Sequence, residues 1–204
     1  ESHSFNLNPE KLTAALDAGK RAGIDVVGII GVGLFGQPAN YAAIRTFAND
    51  HGLWLVDDAA QSFGATLNDH PVGQLADVTC TSFFPAKPLG AYGDGGAVFT
   101  DDAKIAEIIR SCRTHGMGKN KYENVRIGMT GRLDSMQAVV LDAKLDIFAD
   151  ELRLLLHNNS EIALRTRPAT DPKNASPGAS WVAAQLLSNA AWLPEDMQED
   201  LIRW

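Results

Sequence analysis

Short apolar runs recur along this chain with helical patterns between them, and that alternation constrains the fold more than any other feature. Asn8-Pro9-Glu10-Lys11 opens the first helical pattern. Asn8 is a residue type that caps free backbone N–H groups, Pro9 has no N–H to leave unpaired, and Glu10 suits the positive end of a helix. Leu12, Ala15 and Leu16 share one face, Gly19 extends it, and Gly23 closes the helix. Asp25–Ile30 then reads as a continuous apolar strand of the kind buried in parallel sheets. A second helix is expected over Tyr41–Asp50 with Asn40 as its cap, and further strands at Leu53–Val56, Ala76–Phe84 and Gly96–Thr100. Asp101-Asp102 precede an amphipathic helix with Ile105, Ile108 and Ile109 inward. A long helical pattern from Asp134 through Leu155 sets Met136, Val139, Val140, Ala143 and Ile147 on one buried face. Helices alternating with apolar strands imply an α/β architecture.

In open α/β sheets, ligands bind beyond the carboxyl ends of the strands. Two of those ends carry chemistry. One strand delivers Asp57-Asp58-Ala59-Ala60-Gln61, and the next delivers Ser82-Phe83-Phe84-Pro85-Ala86-Lys87, followed by a glycine-rich run to Gly96. A lysine in a loop of small residues after a strand can offer its amine to an aldehyde as a Schiff-base nucleophile. Alone it would be a solvated loop lysine, the commonest fate of that residue. Strand pattern leaves both Asp57 and Asp58 open as the functional carboxylate. Glycines 90, 93, 95 and 96 read most simply as turn formers, with close approach of a ligand as the second reading. Gly31-Val-Gly33-Leu-Phe-Gly36 spells G-x-G-x-x-G after a strand, with Asp57 downstream, which is the pattern of a nicotinamide-dependent oxidoreductase. Against that reading, Gln37-Pro38-Ala39 separate the glycines from the expected helix, whose amino end should meet the pyrophosphate. His115 reads as a loop residue making structural hydrogen bonds, and no metal site is expected.

The segments "VDDAAQSFGA", "SFFPAKPLGAYGDGGAVFTDD", "RTHGM" and "GRLDSMQAVVLDAKL" occur in that order. Together, over roughly residues 5 to 150, they resemble the DegT-type (DegT/DnrJ/EryC/StrS) nucleotide-sugar aminotransferases, pyridoxal-phosphate (PLP) enzymes of fold type I. The resemblance implies the large domain of that fold, a mixed, mostly parallel sheet flanked by helices, present here incompletely. Residues 1–156 would form a partial PLP-binding domain. Residues 157–204 would be a tail of unclear affiliation: His157–Ser160 and Arg167–Ser180 as linker, Trp181–Asn189 and Pro194–Trp204 as short helices. The family's E-D-A-A-Q register selects Asp58 as the partner of the ring nitrogen of pyridoxal 5′-phosphate and assigns Lys87 to its aldehyde. Ser82 would bind the phosphate, and Gln61 the ring or its 3-oxygen. Thr130-Gly131-Arg132 stands where relatives carry N-x-R, in a loop that reaches the phosphate and substrate of a partner subunit. Thr130 replaces the asparagine with one donor in place of two, while Arg132 keeps the substrate contact. Gly31 and Gly33 stand where relatives carry bulkier or polar residues.

The reaction implied is ping-pong transamination from an amino-acid donor, glutamate, to a nucleotide-linked ketosugar in sugar or cell-surface polysaccharide biosynthesis, by a homodimer. Lys87, rather than the histidine of dehydrating members, implies transfer. A non-catalytic fragment and the oxidoreductase are the competing classes. A net charge of −7 and a pI near 5.1 argue against nucleic acid or an anionic membrane as partner. Only two cysteines among 204 residues fit a reducing compartment, so a cytoplasmic location is expected. No run is apolar and long enough to span a bilayer, and the polar start lacks the regions of a signal peptide. Without an initiator methionine the chain reads as an internal piece, and relatives about twice as long, with a second domain, imply that it does not turn over substrate by itself.

Overall fold

The computed structural model describes residues 1, 4–120 and 122–165. The Asn8 side chain accepts from the Glu10 N–H at 2.9 Å, Pro9–Lys11 form a single 3-10 turn, and α1 (Leu12–Arg21) follows. Gly23 ends the helix at φ +71°, where a side chain would be strained. After β1 (Gly28–Val32), α2 (Tyr41–His51) begins under its Asn40 cap and closes on Gly52 in the left-handed conformation. β2 (Trp54–Asp58) leads to a small hairpin, β3 (Thr66–Leu67) and β4 (His70–Pro71). Its turn residues Asn68 and Asp69 both have positive φ, which matches the twist of a two-residue hairpin. β5 (Val78–Ser82), β6 (Gly96–Phe99), α3 (Ala103–Cys112) and α4 (Ser135–Arg165) complete the order.

The sheet runs β1-β2-β5-β6, with β1, β2 and β5 parallel and β6 antiparallel to β5. Asp77, just ahead of β5, pins the register of β2: its carboxylate accepts the Leu55 N–H at 2.8 Å and pairs with Arg45 of α2 at 2.6 Å. Register puts Ile29, Gly31, Leu55, Asp57, Thr79 and Thr81 on one face, all buried beneath the helices. The opposite face carries Ile30, Val32, Trp54, Asp58, Cys80, Ser82 and Val98, and the described residues leave it open, Ile30 being 58% exposed. Asp25–Ile30 was expected as a strand buried on both sides. The observed strand starts at Gly28 and buries only alternate side chains, because cover comes from one side of the sheet.

One core cluster joins Leu12, Ile29, Tyr41, Ile44, Ala48 and Leu55; a second joins Phe83, Leu89, Ala91 and Leu141, with Phe63 and Phe148 packed against it. The second cluster corrects the expected face of α4. Met136, Val139 and Ile147 are exposed at 76%, 69% and 51%, Ala143 is exposed, and the stripe turned inward is Gln137, Val140, Leu141, Lys144 and Phe148, with Leu141 buried and the others half-buried. Only Val140 belongs to both sets. The α3 face is corrected likewise: Ile108 is exposed, and Ile105 and Ile109 are half-buried. α4 continues to Arg165, so His157–Ser160, expected as linker, is helical and the helix crosses residue 156. The short helices expected over Trp181–Asn189 and Pro194–Trp204 lie outside the described residues. Leu141→Ala, at the buried centre of the inward stripe, costs about 2–5 kcal/mol of stability. Val139→Ala, on the exposed stripe, changes stability by no more than about 0.5 kcal/mol, and urea unfolding midpoints measure both.

Candidate active site

Successive side chains of a strand point to opposite faces. Asp57 and Asp58 therefore part company at the end of β2. Asp57 points into the protein, is fully buried, and accepts from the Tyr41 hydroxyl at 2.5 Å. Thr79, the residue beside it in register on β5, is buried with its hydroxyl facing the same carboxyl and helps to hold its pKa down. Burial pushes the Asp57 carboxyl above its ordinary range and the Asp58 charge adds to the rise, while the bond from Tyr41 pulls it back. Burial raises Tyr41 as well, followed by its bond to Asp57. Asp58 lies half-buried on the open face, where one oxygen accepts the Ala60 N–H at 3.1 Å. Geometry thus separates the two carboxylates that strand pattern left open: only Asp58 can meet a ligand outside the sheet. Beside Asp58 on β5, burial raises the Cys80 thiol, with the Asp58 and Asp57 charges contributing, so the thiol stays protonated.

The glycines after β1 serve packing. A Cβ on Gly31 would lie 2.9 Å from the Tyr41 ring, and one on Gly33 would lie 2.1 Å from Ser62 Oγ. Their absence lets Tyr41 reach Asp57 and lets Ser62 sit under β1. α2 begins only at Tyr41, after Pro38 and Ala39, and the glycine run itself holds only a three-residue 3-10 turn, Leu34–Gly36, broken by Phe35, so no α-helix presents its amino end there. That geometry contradicts the dinucleotide reading of Gly31, Gly33 and Gly36. Gly36 does have positive φ, as does Phe35 before it at +56°, forming a tight turn closed by the Gln37 N–H on the Leu34 carbonyl. Gln61 Oε1 accepts the Phe35 N–H at 2.9 Å and holds that turn. Its amide protons have no protein partner among the described residues, so the side chain is oriented with its donors available.

Lys87 is half-buried on the turn after β5, its own N–H bonded to the Phe84 carbonyl at 2.9 Å. Among the described residues its Nζ makes no hydrogen bond or ion pair. Ser82, at the end of β5, shares the open face with Asp58; its Oγ accepts the Phe84 N–H at 3.2 Å. The glycines that follow are not positive-φ turn formers, which corrects the expectation. A Cβ on Gly90 would meet the Pro85 carbonyl oxygen at 2.3 Å and one on Gly96 the Thr81 oxygen at 2.7 Å, while Gly93 faces Gln137 of α4 and Gly95 faces Leu133 just ahead of it. Close approach of α4 also brings in two polar contacts that periodicity missed. Gln137 Oε1 accepts the Tyr92 N–H at 2.8 Å, and Lys144 donates to the Gly90 carbonyl at 2.6 Å and lies over the Tyr92 ring. Polar residues inside an otherwise apolar stripe were the available signal for them.

Thr130 and Arg132 are exposed, and no hydrogen bond or ion pair links them to Asp58, Gln61, Ser82 or Lys87. Thr130 Oγ1 lies 3.3 Å from His115 Nε2, so His115 is a structural loop residue, held at positive φ with its N–H on the Met129 carbonyl. A cavity of about 450 Å³ between α3 and residues 117–126, lined in part by Arg110, Lys119, Arg126 and Glu123, includes none of the candidate site residues. No group of three or more His, Cys, Asp or Glu among the described residues could hold a metal ion.

The raised carboxyl of Asp57 has a measurable consequence. A carboxyl whose pKa is higher folded than unfolded binds its proton more tightly in the native state, so its stabilisation is complete below the unfolded pKa of about 4 and is lost as pH rises through the folded value. Asp57→Asn, which keeps the acceptor for Tyr41 but cannot ionise, should therefore gain stability relative to the unmodified chain as pH rises above about 4. Thermal melts from pH 4 to 8 read the difference; a constant difference across that range would place the Asp57 carboxyl in its ordinary range.

The DegT/DnrJ/EryC1/StrS aminotransferase family model matches residues 1–193, well past residue 156, where the resemblance was expected to stop. A UDP-2-acetamido-2-deoxy-3-oxo-D-glucuronate aminotransferase from Pseudomonas aeruginosa is 44% identical over 154 residues, 76% of this chain and 41% of the relative. A crystal structure of an aminotransferase of the same family from Brucella abortus superposes with a TM-score of 0.74 at 44% identity, over 81% of this chain and 43% of that one. A second, of Streptomyces venezuelae DesV in complex with a ketimine intermediate, has a TM-score of 0.65 at 32% identity, over 95% and 44%. The chain spans about two fifths of the length of the curated relatives it matches. With the ordered motifs and the strand-end geometry in agreement, the chain belongs to the DegT/DnrJ/EryC1/StrS aminotransferase family.

Proposed function

We propose that the protein takes part in PLP-dependent transfer of an amino group from glutamate to a ketosugar carried on a nucleotide. The observation that carries this reading is the convergence at the strand ends. Asp58 and Ser82 share one open sheet face, and Lys87 follows on the next turn, its amine without a hydrogen bond or ion pair among the described residues. Relatives support the substrate class: the Pseudomonas enzyme acts on a UDP-linked 3-oxo sugar by its name, and a dTDP-3-amino-3,4,6-trideoxy-alpha-D-glucose transaminase of Streptomyces venezuelae is 44% identical over 117 residues. A Bacillus subtilis structure at 27% identity and a TM-score of 0.63 contains the cofactor PMP.

The donor set fits pyridoxal 5′-phosphate: an amine, a carboxylate, a hydroxyl and an amide with free donors. When bound, that group supplies the electron sink that stabilises the carbanion left at the donor carbon. Asp58 would accept a hydrogen bond from the ring nitrogen and keep it protonated. The Lys87 amine would hold the aldehyde carbon and, once displaced by the donor's amine, take up and return a proton at Nζ. Ser82 Oγ would donate to the phosphate. The Gln61 amide would donate to the 3-oxygen, since Phe35 already occupies its acceptor. Residues 1–156 would then be part of a PLP-binding domain. The protein would act as a homodimer in the cytoplasm, with Thr130 and Arg132 reaching across to the partner's phosphate and substrate. Their exposure and distance from the local hydrogen-bond network support that placement, and no described helix is long and apolar enough to cross a membrane.

Incubation with PLP and reduction by borohydride should leave a stable adduct on Lys87, located by peptide mass mapping. Lys87→Ala should abolish that adduct and, in the whole enzyme, lower glutamate-dependent amination by about 10²–10⁴-fold. Mapping of the adduct to a different lysine, or saturable NAD binding with no PLP uptake, would reverse the reading.

A further inference from the structure

Tyr41 and Asp57 form a buried polar pair that the proposed chemistry does not use. The pair is assembled with care. Gly31, opposite Asp57 in the β1–β2 register, leaves the gap that the Tyr41 ring fills, and a Cβ there would stand 2.9 Å from the ring and its hydroxyl. Tyr41 is the first residue of α2, so its hydroxyl ties the start of a helix to the end of a strand. Both side chains are almost wholly buried, at 2% and 0% exposure. An apolar pair would fill the same space without the cost of hiding a carboxyl.

What distinguishes this place is the next residue. Asp57 is bonded to Asp58, and at a strand end the rotation of one peptide sets the direction of both side chains. The Asp58 backbone lies in register with Val32 and Cys80 and its carbonyl accepts the Gly33 N–H at 3.0 Å, but among the described residues its carboxylate has a single hydrogen bond, from the Ala60 N–H at 3.1 Å. We infer that Tyr41 is a positioning residue for Asp58: by anchoring Asp57 on the covered face, it fixes the carboxyl end of β2 so that the Asp58 carboxylate stands on the open face in one orientation. The functional value of that orientation rests on the cofactor reading above; the geometric claim does not.

Amide hydrogen exchange on the chain without ligand tests the geometry, because the Ala60 N–H is protected by the Asp58 carboxylate itself. Tyr41→Phe should raise exchange at Ala60 about tenfold over the change at Leu55, whose N–H is held by Asp77 in the same strand. Asp57→Asn, which keeps an acceptor for Tyr41, should leave Ala60 within about threefold of the unmodified chain. Gly31→Ala pushes the ring off Asp57 without removing the hydroxyl. It should reproduce the Tyr41→Phe effect and serves as well if that variant fails to fold. Equal rises at Ala60 and Leu55 in both variants would reduce Tyr41 to a general stabiliser and overturn the inference, as would no rise at either. PLP titration of the same proteins separates the two readings: uptake about tenfold weaker in Tyr41→Phe supports both. An unmodified chain that takes up no PLP while Ala60 responds as expected would sink the cofactor reading alone.

Discussion

The two-residue period of β2 governs everything at the candidate site. Within one strand end it must bury one carboxyl and present another, and a slip of one residue would exchange them, leaving Asp58 under the helices and Asp57 in the open. Register is therefore secured from both ends. Asp77 holds the start of the strand through the Leu55 N–H and Arg45, and Tyr41 holds its end through Asp57. Hydrophobic burial alone would secure this strand weakly, since only Leu55 contributes a fully buried apolar side chain to it. Polar contacts supply the direction that burial does not.

A different device holds the loop after Lys87. Loops expose backbone groups that need partners, and α4 provides them by lying close enough for Gln137 and Lys144 to bond the Tyr92 N–H and the Gly90 carbonyl. That approach is possible because the loop carries no Cβ at positions 93 and 95. The glycines and the polar residues of α4 are one arrangement seen from two sides. It explains why the inward stripe of α4 contains an amide and an ammonium, groups whose burial is tolerated when each has a hydrogen-bond partner.

Local rules made much of this legible in the sequence. Asn8, Asn40 and Asp102 cap as their types predict, and strand-end placement of Asp58, Ser82 and Lys87 follows from apolar runs bounded by turn signals. Errors arose where a tertiary partner decides. α4 has two apolar stripes, and periodicity could not tell the one facing Phe83 and Leu89 from the one carrying Met136 and Val139. Glycine is compatible with a turn and with close packing alike, and only the neighbours of 90, 93, 95 and 96 distinguish the two. The same holds for Gly31 and Gly33, whose spacing imitates a nucleotide loop while their lack of Cβ accommodates Tyr41 and Ser62.

The open face of the sheet bears on the strength of the proposed chemistry. A carboxylate and a protonated ring nitrogen about 4 Å apart attract by about 1 kcal/mol in bulk water and about 4 kcal/mol at an effective dielectric of 20. Only the second is enough to hold a ring nitrogen protonated against its own tendency to lose the proton, because one pKa unit corresponds to about 1.4 kcal/mol. Asp58 and Ser82 stand among Ile30, Val32, Trp54 and Val98, apolar side chains at 36–58% exposure. Apolar surface contiguous with a carboxylate is unfavourable in water and favourable under cover. Whatever packs on Ile30 and Trp54 in the working assembly therefore does more than bury those residues. By excluding water beside Asp58, such cover would lower the local dielectric and strengthen the attraction between this carboxylate and the ring nitrogen proposed for it.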